Sequence, residues 1–249
     1  MNTVRAVTFA IIAHAFCIAS PLIAVNNPEM VKAQILTEME ALQAHPDSGI
    51  FQKLLFKIDP YSFVVNQECM PTLYAVVSNL AQKLRISVPC MVIYTGSNKD
   101  TSCDVSSVSL YHNCGMVMMS KKLIEILSAD QFEAMIAHEL NHISHNHYPV
   151  MGPMIVVGNV LEKIPFVNRV RLQYCVVMSA LRRYYELQAD IGAARIIDSK
   201  QVFCDALEVL DALNGVKLNP EQSTADLFYR RFLAEYPSLD ERKRYIAAA

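Results

Sequence analysis

The stretch that decides the fold is His138-Glu139-Leu140-Asn141-His142, near the middle of the 249-residue chain. On a helix, residues four apart lie one turn above each other on the same face, so the imidazoles of His138 and His142 can meet at one metal ion. Glu139 follows the first histidine and is placed to act as general base on a water at that metal. The pattern therefore predicts an α-helix that holds one Zn²⁺ per chain.

The residues around this motif support a helix. Ser128-Ala129-Asp130 provides candidate N-caps, and Glu133 is placed to complete a capping box on Ser128 or Asp130. The predicted helix runs from Gln131 to about His147. Its core-facing side is formed by apolar residues at helical spacing, namely Phe132, Met135, Ile136, Leu140 and Ile143.

A catalytic zinc usually takes three protein ligands and leaves a fourth position for water, so one more ligand must come from elsewhere. His145 lies on the same helix, but a single straight helix cannot place three ligands around a tetrahedral ion. No glycine follows His142 before Gly152 to turn the chain toward another histidine. Two carboxylates, Glu162 and Glu186, remain as candidates.

The surroundings of the two carboxylates favour Glu186. It lies in Tyr185-Glu186-Leu187-Gln188-Ala189-Asp190, inside a long helix predicted from about Asn168 to Ile197. Asp190 lies one turn further on, where it can hydrogen-bond a ligating histidine. Glu162 follows His142 by twenty residues, but Pro165 breaks the helix just after it. The sequence favours Glu186 and leaves Glu162 as the alternative.

The remaining pattern predicts an α+β fold that is mostly helical, with a small antiparallel sheet beside the helix of the motif. Pro89–Tyr94 reads as a short buried strand, and Val108–Tyr111 with Gly115–Met119 reads as a hairpin. Further helices are predicted over residues 31–42, 71–84, 201–213 and 225–235.

Composition narrows the class of protein. The chain is 53% hydrophobic and 18% charged, with a formal net charge of −2. These values exclude intrinsic disorder and give no basic surface for nucleic acid, so no nucleic-acid partner is expected. The charge-free stretches Tyr148–Leu161 and Leu172–Leu181 are too short to span a bilayer and are expected to be buried or interfacial.

The N-terminus has the layout of a targeting segment. Met1–Arg5 carries a positive charge, and no charged side chain occurs from Ala6 to Pro28. We expect residues 1–24 to be a signal peptide or a membrane anchor, followed by one domain over residues 25–249. The expected location is therefore exported or membrane-associated, with the extracytoplasmic side favoured and the cytoplasm as the alternative.

Taken together, HELNH and the later ELQAD resemble the HtpX-like and CAAX-prenyl-protease-like zinc metallopeptidases, which are gluzincins. The resemblance covers roughly Leu80 to Arg242. It includes the stretch LAQKLRISVP at Leu80–Pro89 and the segment Tyr236-Pro237-Ser238-Leu239-Asp240-Glu241-Arg242, which is similar to a His-Pro…Arg segment of the family.

The resemblance implies that the mostly helical α+β fold is a zincin-like metalloprotease domain. It also implies that the protein is a zinc metalloendopeptidase that hydrolyses peptide bonds of protein or peptide substrates. It implies that His138, His142 and Glu186 bind zinc and that Glu139 is the general base. Asp190 would then support a ligand, and Arg242 would lie in the cleft. A catalytically silent zinc-binding or scaffold protein of the same fold is the rival interpretation.

Three positions depart from the family pattern. Asn141 stands where the family usually has a small residue. Cys103-Asp104-Val105 lies near the place of the family's Asn-Ala-Phe segment, which bears on the wall of the substrate cleft. Tyr236 replaces a histidine that is a candidate helper for the oxyanion, and a tyrosine hydroxyl can also donate a hydrogen bond there.

Overall fold

A computed structural model of the chain describes residues 27–44, 62–94, 105–111, 114–164, 168–213 and 236–249. Within these ranges the chain forms eight helices and four strands. The helices are α1 (Pro28–Ala44), α2 (Pro71–Leu84), α3 (Lys121–Ile126), α4 (Ala129–Ser144), α5 (His147–Lys163), α6 (Asn168–Ile196), α7 (Lys200–Leu213) and α8 (Leu239–Ala248). The strands are β1 (Ser62–Val65), β2 (Cys90–Tyr94), β3 (Val105–Tyr111) and β4 (Cys114–Ser120).

The strands form one sheet in the order β1-β2-β4-β3. The expected hairpin is confirmed, because β3 pairs antiparallel with β4. The sheet is nevertheless mixed and not purely antiparallel, since β2 pairs with β4 in parallel, with Met91 opposite Val117. The hairpin uses only one edge of β4, and the other edge is left to pair with β2. This leaves β3 at an edge of the sheet.

Helix α4, which carries the His-Glu-x-x-His motif, lies at the centre of the domain. Phe132, Ile136 and Leu140 are at most 2% exposed and belong to the main hydrophobic core. The N-cap is Ser128, one of the two candidates that the sequence offered, and Gln131 completes the capping box instead of Glu133. The reason is the spacing, because the third helical residue after Ser128 is Gln131. The motif is therefore fixed by a capped and buried helix.

The helix ends earlier than the sequence predicted. Ser144 is its last residue, and Asn146 adopts the left-handed conformation with φ of 53°. Asn accepts this conformation more readily than most residues, so the chain turns there and α5 begins at His147. The turn brings His147 back toward the motif.

The two charge-free stretches lie in α5 and α6, which contact each other. The hydroxyl of Tyr174 donates a hydrogen bond to the carbonyl of Met154, and Gly158 lies against the tyrosine ring. From the sequence, these stretches were expected to be either buried or interfacial. They are not fully buried, since the side chain of Val156 is 61% exposed and that of Val177 is 56% exposed. Across the part of the chain that the structure describes, no helix combines the length and apolar character that crossing a membrane requires.

Three features named from the sequence fall outside the described residues. These are the targeting segment at residues 1–24, Cys103-Asp104 near the expected wall of the cleft, and the predicted helix at residues 225–235. Two elements of the structure were not predicted from the sequence, namely strand β1 and the short helix α3. Both are too short to give a clear periodic pattern.

Candidate metal centre

The two histidines of α4 face each other, as their spacing predicted. Their Nε2 atoms lie 3.1 Å apart, and the rings meet edge to face with centroids separated by 4.7 Å. His138 is 3% exposed, and the side chain of His142 is 16% exposed. Both histidines therefore direct the same ring nitrogen toward one point.

Helix α6 brings Glu186 to this point. Its Oε2 lies 3.5 Å from His138 Nε2, and its Oε1 lies 3.6 Å from His142 Nε2. The potential ligand atoms of the three residues all lie within 4.8 Å of one another. Two imidazole nitrogens and one carboxylate are the donor set that zinc takes in many catalytic sites, so the residues present fit this ion.

Glu162, the alternative third ligand, lies near the end of α5, and its side chain is outside the described part of the structure. Among the residues that the structure describes, the group suited to a metal contains Glu186.

Asp190 supports His138 from the side away from Glu186. Its Oδ1 lies 2.9 Å from His138 Nδ1, and its carboxyl group is fully buried. Arg242, from α8, donates to both carboxylate oxygens, with Nε 2.7 Å from Oδ2 and Nη2 2.6 Å from Oδ1. The same Nη2 lies 4.0 Å from Glu186 Oε2. Arg242 therefore connects α8 to both carboxylates of α6.

These contacts outweigh the cost of burial for the two carboxylates. Burial raises the pKa of Asp190, but the hydrogen bonds from Arg242 and His138 lower it to about 2. Burial likewise raises the pKa of Glu186, and His138, His142 and Arg242 together lower it to about 2. Both groups are therefore anionic, and they provide negative charge for a cation at this site.

The pKa values of the two histidines are shifted in opposite directions by their surroundings. Burial lowers the pKa of His138, but the hydrogen bonds to Asp190 and Glu186 raise it to about 10. Burial and the neighbouring charge of His138 lower the pKa of His142 to about 3. In the metal-free arrangement one positive charge on His138 therefore partly compensates the two carboxylates.

Glu139 follows His138 on α4 and lines the same cavity as the three potential metal ligands. It is 6% exposed, and burial raises the pKa of its carboxyl group. A hydrogen bond from the Ser107 hydroxyl, on β3, favours the ionised form and opposes this effect. Ser107 was not predicted from the sequence, because only the tertiary contact between β3 and α4 brings it to the carboxylate.

His147 is a second residue that the sequence did not single out. Its Nδ1 lies 2.8 Å from His142 Nδ1, and its Nε2 lies 3.2 Å from Gln188 Oε1. It is 5% exposed, and its ring stacks on that of Tyr185 with centroids 4.1 Å apart. Asn146 is the sequence feature that could have indicated the position of His147, because a residue that tolerates the left-handed conformation can end the helix and redirect the chain.

The metal centre opens into a cavity of about 580 Å³. Its lining includes residues of the edge strand β3, the apolar side chains of Leu207 and Leu239, and Arg242. Tyr236 lines the same cavity and is 63% exposed. The structure thus brings Tyr236 to the cavity but leaves most of its surface accessible to solvent.

A helix with the His-Glu-x-x-His motif, an acidic residue from a later helix and a small sheet beside the cleft together define a metallopeptidase fold. The family model for Peptidase family M48 matches residues 73–248, and the chain belongs to this family. Family membership places the chain among the proteases and confirms the resemblance drawn from HELNH and ELQAD.

Individual relatives agree with this assignment. The chain is 22% identical over 213 residues to a protein named Protease HtpX from Buchnera aphidicola, covering 67% of this chain and 69% of the relative. It is 26% identical over 217 residues to Protease HtpX from Vibrio vulnificus, covering 67% of this chain and 68% of the relative.

A solved structure shows a similar fold. The crystal structure of Ste24p from S. mikatae aligns with a TM-score of 0.53 and 17% sequence identity, covering 87% of this chain. This chain spans 62% of the Ste24p chain. At this identity the similarity describes the fold alone.

Proposed function

We propose that the protein is a zinc-dependent metalloendopeptidase that hydrolyses peptide bonds in protein or peptide substrates. The observation that carries this proposal is the convergence of His138, His142 and Glu186, which line one cavity together with Glu139. Membership of a peptidase family supports the same reaction.

The proposed roles follow from the donor set. His138, His142 and Glu186 would hold one Zn²⁺, which supplies a Lewis acid that polarises a carbonyl and lowers the pKa of water to about 7. Glu139 accepts the proton of the attacking water and later delivers it to the leaving amine nitrogen. The hydroxyl of Tyr236 donates a hydrogen bond to the developing oxyanion.

The proposed substrate position is an extended segment along β3. This strand lies at an edge of the sheet, and its residues Val105, Ser107 and Ser109 line the cavity. An extended peptide can add to such an edge through main-chain hydrogen bonds. Binding of this kind depends little on side chains, which fits a protease acting on unfolded protein segments.

The decisive experiment compares two substitutions on the same helix, each of which replaces a glutamate by the uncharged glutamine. Glu139→Gln is expected to retain zinc and to abolish cleavage of casein, because the amide cannot accept the proton of water. Glu133→Gln, six residues earlier on the helix and only partly buried, is the matched control and is expected to retain both zinc and cleavage. Full cleavage by Glu139→Gln contradicts the proposal.

The same assay separates the proposal from a catalytically silent zinc-binding protein. A wild-type protein that binds zinc and cleaves nothing across a panel of casein and unfolded peptides supports the silent interpretation. Cleavage that is lost on chelation and restored by zinc supports the peptidase.

The third ligand is tested by zinc content. Glu186→Gln is expected to lose zinc, because it removes the anionic ligand opposite the two histidines. Glu162→Gln is expected to retain it. Loss of zinc in the Glu162 variant alone contradicts the assignment.

For the cellular setting, we propose an exported or membrane-associated protein. The support is the uncharged N-terminal segment Ala6–Pro28, together with exposed apolar side chains such as Val156 and Val160 on α5. Fractionation of cells that express the full chain or residues 25–249 tests this proposal. Equal recovery of both forms in the cytoplasmic fraction contradicts it.

A further inference from the structure

We propose that His147 and Gln188 form a hydrogen-bonded pair that positions the His142 ring, so that its Nε2 is directed at the metal centre. This makes His147 a positioning residue, since it acts through His142 and does not touch the reacting atoms. The inference rests on the proposed zinc function of the site.

The contacts run in one line from the centre outward. His142 directs Nε2 at His138 and Glu186, and its other nitrogen, Nδ1, lies 2.8 Å from His147 Nδ1. His147 then directs its Nε2 at Gln188 Oε1, 3.2 Å away. Each ring nitrogen along this line therefore has an assigned neighbour.

Only one arrangement of protons satisfies every contact when a metal is bound. A ligating Nε2 carries no proton, so the proton of neutral His142 is on Nδ1 and is donated to His147. His147 accepts it at Nδ1, and its own proton is on Nε2. An acceptor is then required beyond it, and the amide oxygen of Gln188 is one. Ligating histidines in proteins usually donate their second nitrogen to a fixed partner in this way.

The surroundings keep His147 in place. Its ring stacks on Tyr185 at an interplanar angle of 13°, and it is the first residue of α5 after the left-handed turn at Asn146. Burial to 5% exposure protects its hydrogen bonds from competition with water. The ring therefore has little freedom to turn away from His142.

The two ligating histidines thus receive different support from the same helix. Asp190 contacts His138 directly, whereas Gln188 acts on His142 through His147. The first partner is charged and the second is neutral. Support for His142 is consequently provided without adding another carboxylate to a centre that already holds Glu139, Glu186 and Asp190.

The test uses substitutions that separate the two hydrogen bonds. His147→Leu removes the acceptor for His142, whereas His147→Asn retains an oxygen at the place of Nδ1. Gln188→Met removes the outer acceptor, and Gln188→Glu retains one. His145→Leu is the matched control, because it removes a ring that stacks on His147, with centroids 5.5 Å apart, and leaves both proposed hydrogen bonds in place. The Nδ1 of His145 contacts the main-chain carbonyl of Asn141.

Zinc affinity is measured by competition with a chromogenic chelator. We expect about 10- to 100-fold weaker binding for His147→Leu and clearly tighter binding for His147→Asn than for His147→Leu. Gln188→Met should weaken binding, whereas Gln188→Glu and His145→Leu should not. The visible spectrum of the Co²⁺-substituted protein should change in His147→Leu and not in His145→Leu.

Thermal unfolding without and with zinc distinguishes positioning from a general structural role. The proposal requires that the increase in Tm on adding zinc is smaller in His147→Leu and in Gln188→Met than in the wild type. A lower Tm of the metal-free protein with an unchanged increase overturns it. Should His147→Leu fail to fold, the comparison of Gln188→Met with Gln188→Glu decides, because Gln188 is only partly buried.

The result also separates this inference from the proposed function. A wild-type protein that binds no zinc overturns the proposed function and this inference with it. Tight zinc binding by the wild type and equally tight binding by His147→Leu and Gln188→Met overturns the positioning role alone.

Discussion

Asn141 of α4 and Gly192 of α6 approach so closely that a Cβ atom on Gly192 would lie 2.0 Å from Asn141 Oδ1. Asn141 is 1% exposed, and its Nδ2 donates to the carbonyl of Ala137 at 2.8 Å. Where the family usually has a small residue on the motif helix, this chain has the small residue on the facing helix. The two helices that bring the metal ligands together can therefore pack closely because Gly192 has no side chain where Asn141 lies.

Gly192→Ala is expected to destabilise the protein by about 1–3 kcal/mol, because the added methyl group overlaps a buried side chain that cannot move away freely. Urea unfolding measures this change. The double variant Asn141→Ala with Gly192→Ala should be more stable than Gly192→Ala alone, because the space is shared between the two positions.

Gly152→Ala in α5 is the control, because the methyl group added at this glycine would not overlap any neighbouring atom. A Cβ there would meet Tyr148 at 3.8 Å, which is ordinary van der Waals contact. We expect no loss of stability, since alanine favours a helix over glycine. Equal destabilisation by the two alanine substitutions would contradict the packing interpretation.

Asp190→Asn is expected to lower the stability of the metal-free protein by about 2 kcal/mol at pH 7, because it removes the charge that pairs with Arg242. The sign with pH follows from the lowered pKa of Asp190. Its contribution is present above pH 4 and is lost as the pH falls toward about 2. The variant should lack this dependence, and zinc affinity should fall about 10- to 100-fold because His138 loses its partner.

Glu125→Gln is the matched control for Asp190→Asn. Glu125 pairs with Lys121 at 3.6 Å on the surface, where its side chain is 48% exposed. A change within about 0.5 kcal/mol is expected. A comparable loss at both positions would indicate that burial does not decide the strength of the Asp190 contacts.

Ser107→Ala is expected to shift the acid limb of the kcat/KM profile to higher pH, by up to about one unit. Burial already raises the pKa of Glu139, and the Ser107 hydroxyl counteracts this by stabilising the ionised form. Removing the hydroxyl raises the pKa further, so the base becomes protonated at a higher pH. Ser106→Ala, at the next position of the strand, should leave the limb in place.

Tyr236→Phe is expected to lower kcat by roughly 10²-fold with little change in KM, because an oxyanion donor acts mainly in the transition state. Zinc content should be unchanged. Tyr245→Phe provides the control, since Tyr245 is an exposed tyrosine near the end of α8. An unchanged kcat in Tyr236→Phe would remove this residue from the proposed mechanism.

The sequence alone determined the relationships that depend on helical periodicity. The four-residue spacing of His138 and His142 placed both rings on one face, and the same spacing placed Asp190 one turn after Glu186. The sequence also offered Ser128 and Asp130 as candidate caps of α4, and the structure uses Ser128. Gln131 and not Glu133 completes the capping box, which counting from Ser128 would have shown.

The pairing of strands was only partly accessible from the sequence. A short connection such as the one between β3 and β4 indicates an antiparallel hairpin, because adjacent strands with a tight turn have few other arrangements. The parallel contact between β2 and β4 joins segments that are not consecutive in the chain. No local sequence pattern predicts which two strand edges will pair with each other.

Only the tertiary structure decided which residues support the metal centre. Glu186 lies 48 residues after His138 along the chain, and Arg242 reaches Asp190 from a separate helix. Ser107 and Gly192 act through contacts with other elements, and their own neighbours in the sequence give no sign of this. For His147, the preceding Asn146 indicates a turn but not the contact with His142. Local periodicity fixes side chains within a few turns of one helix, whereas the approach of distant elements depends on how the whole core packs.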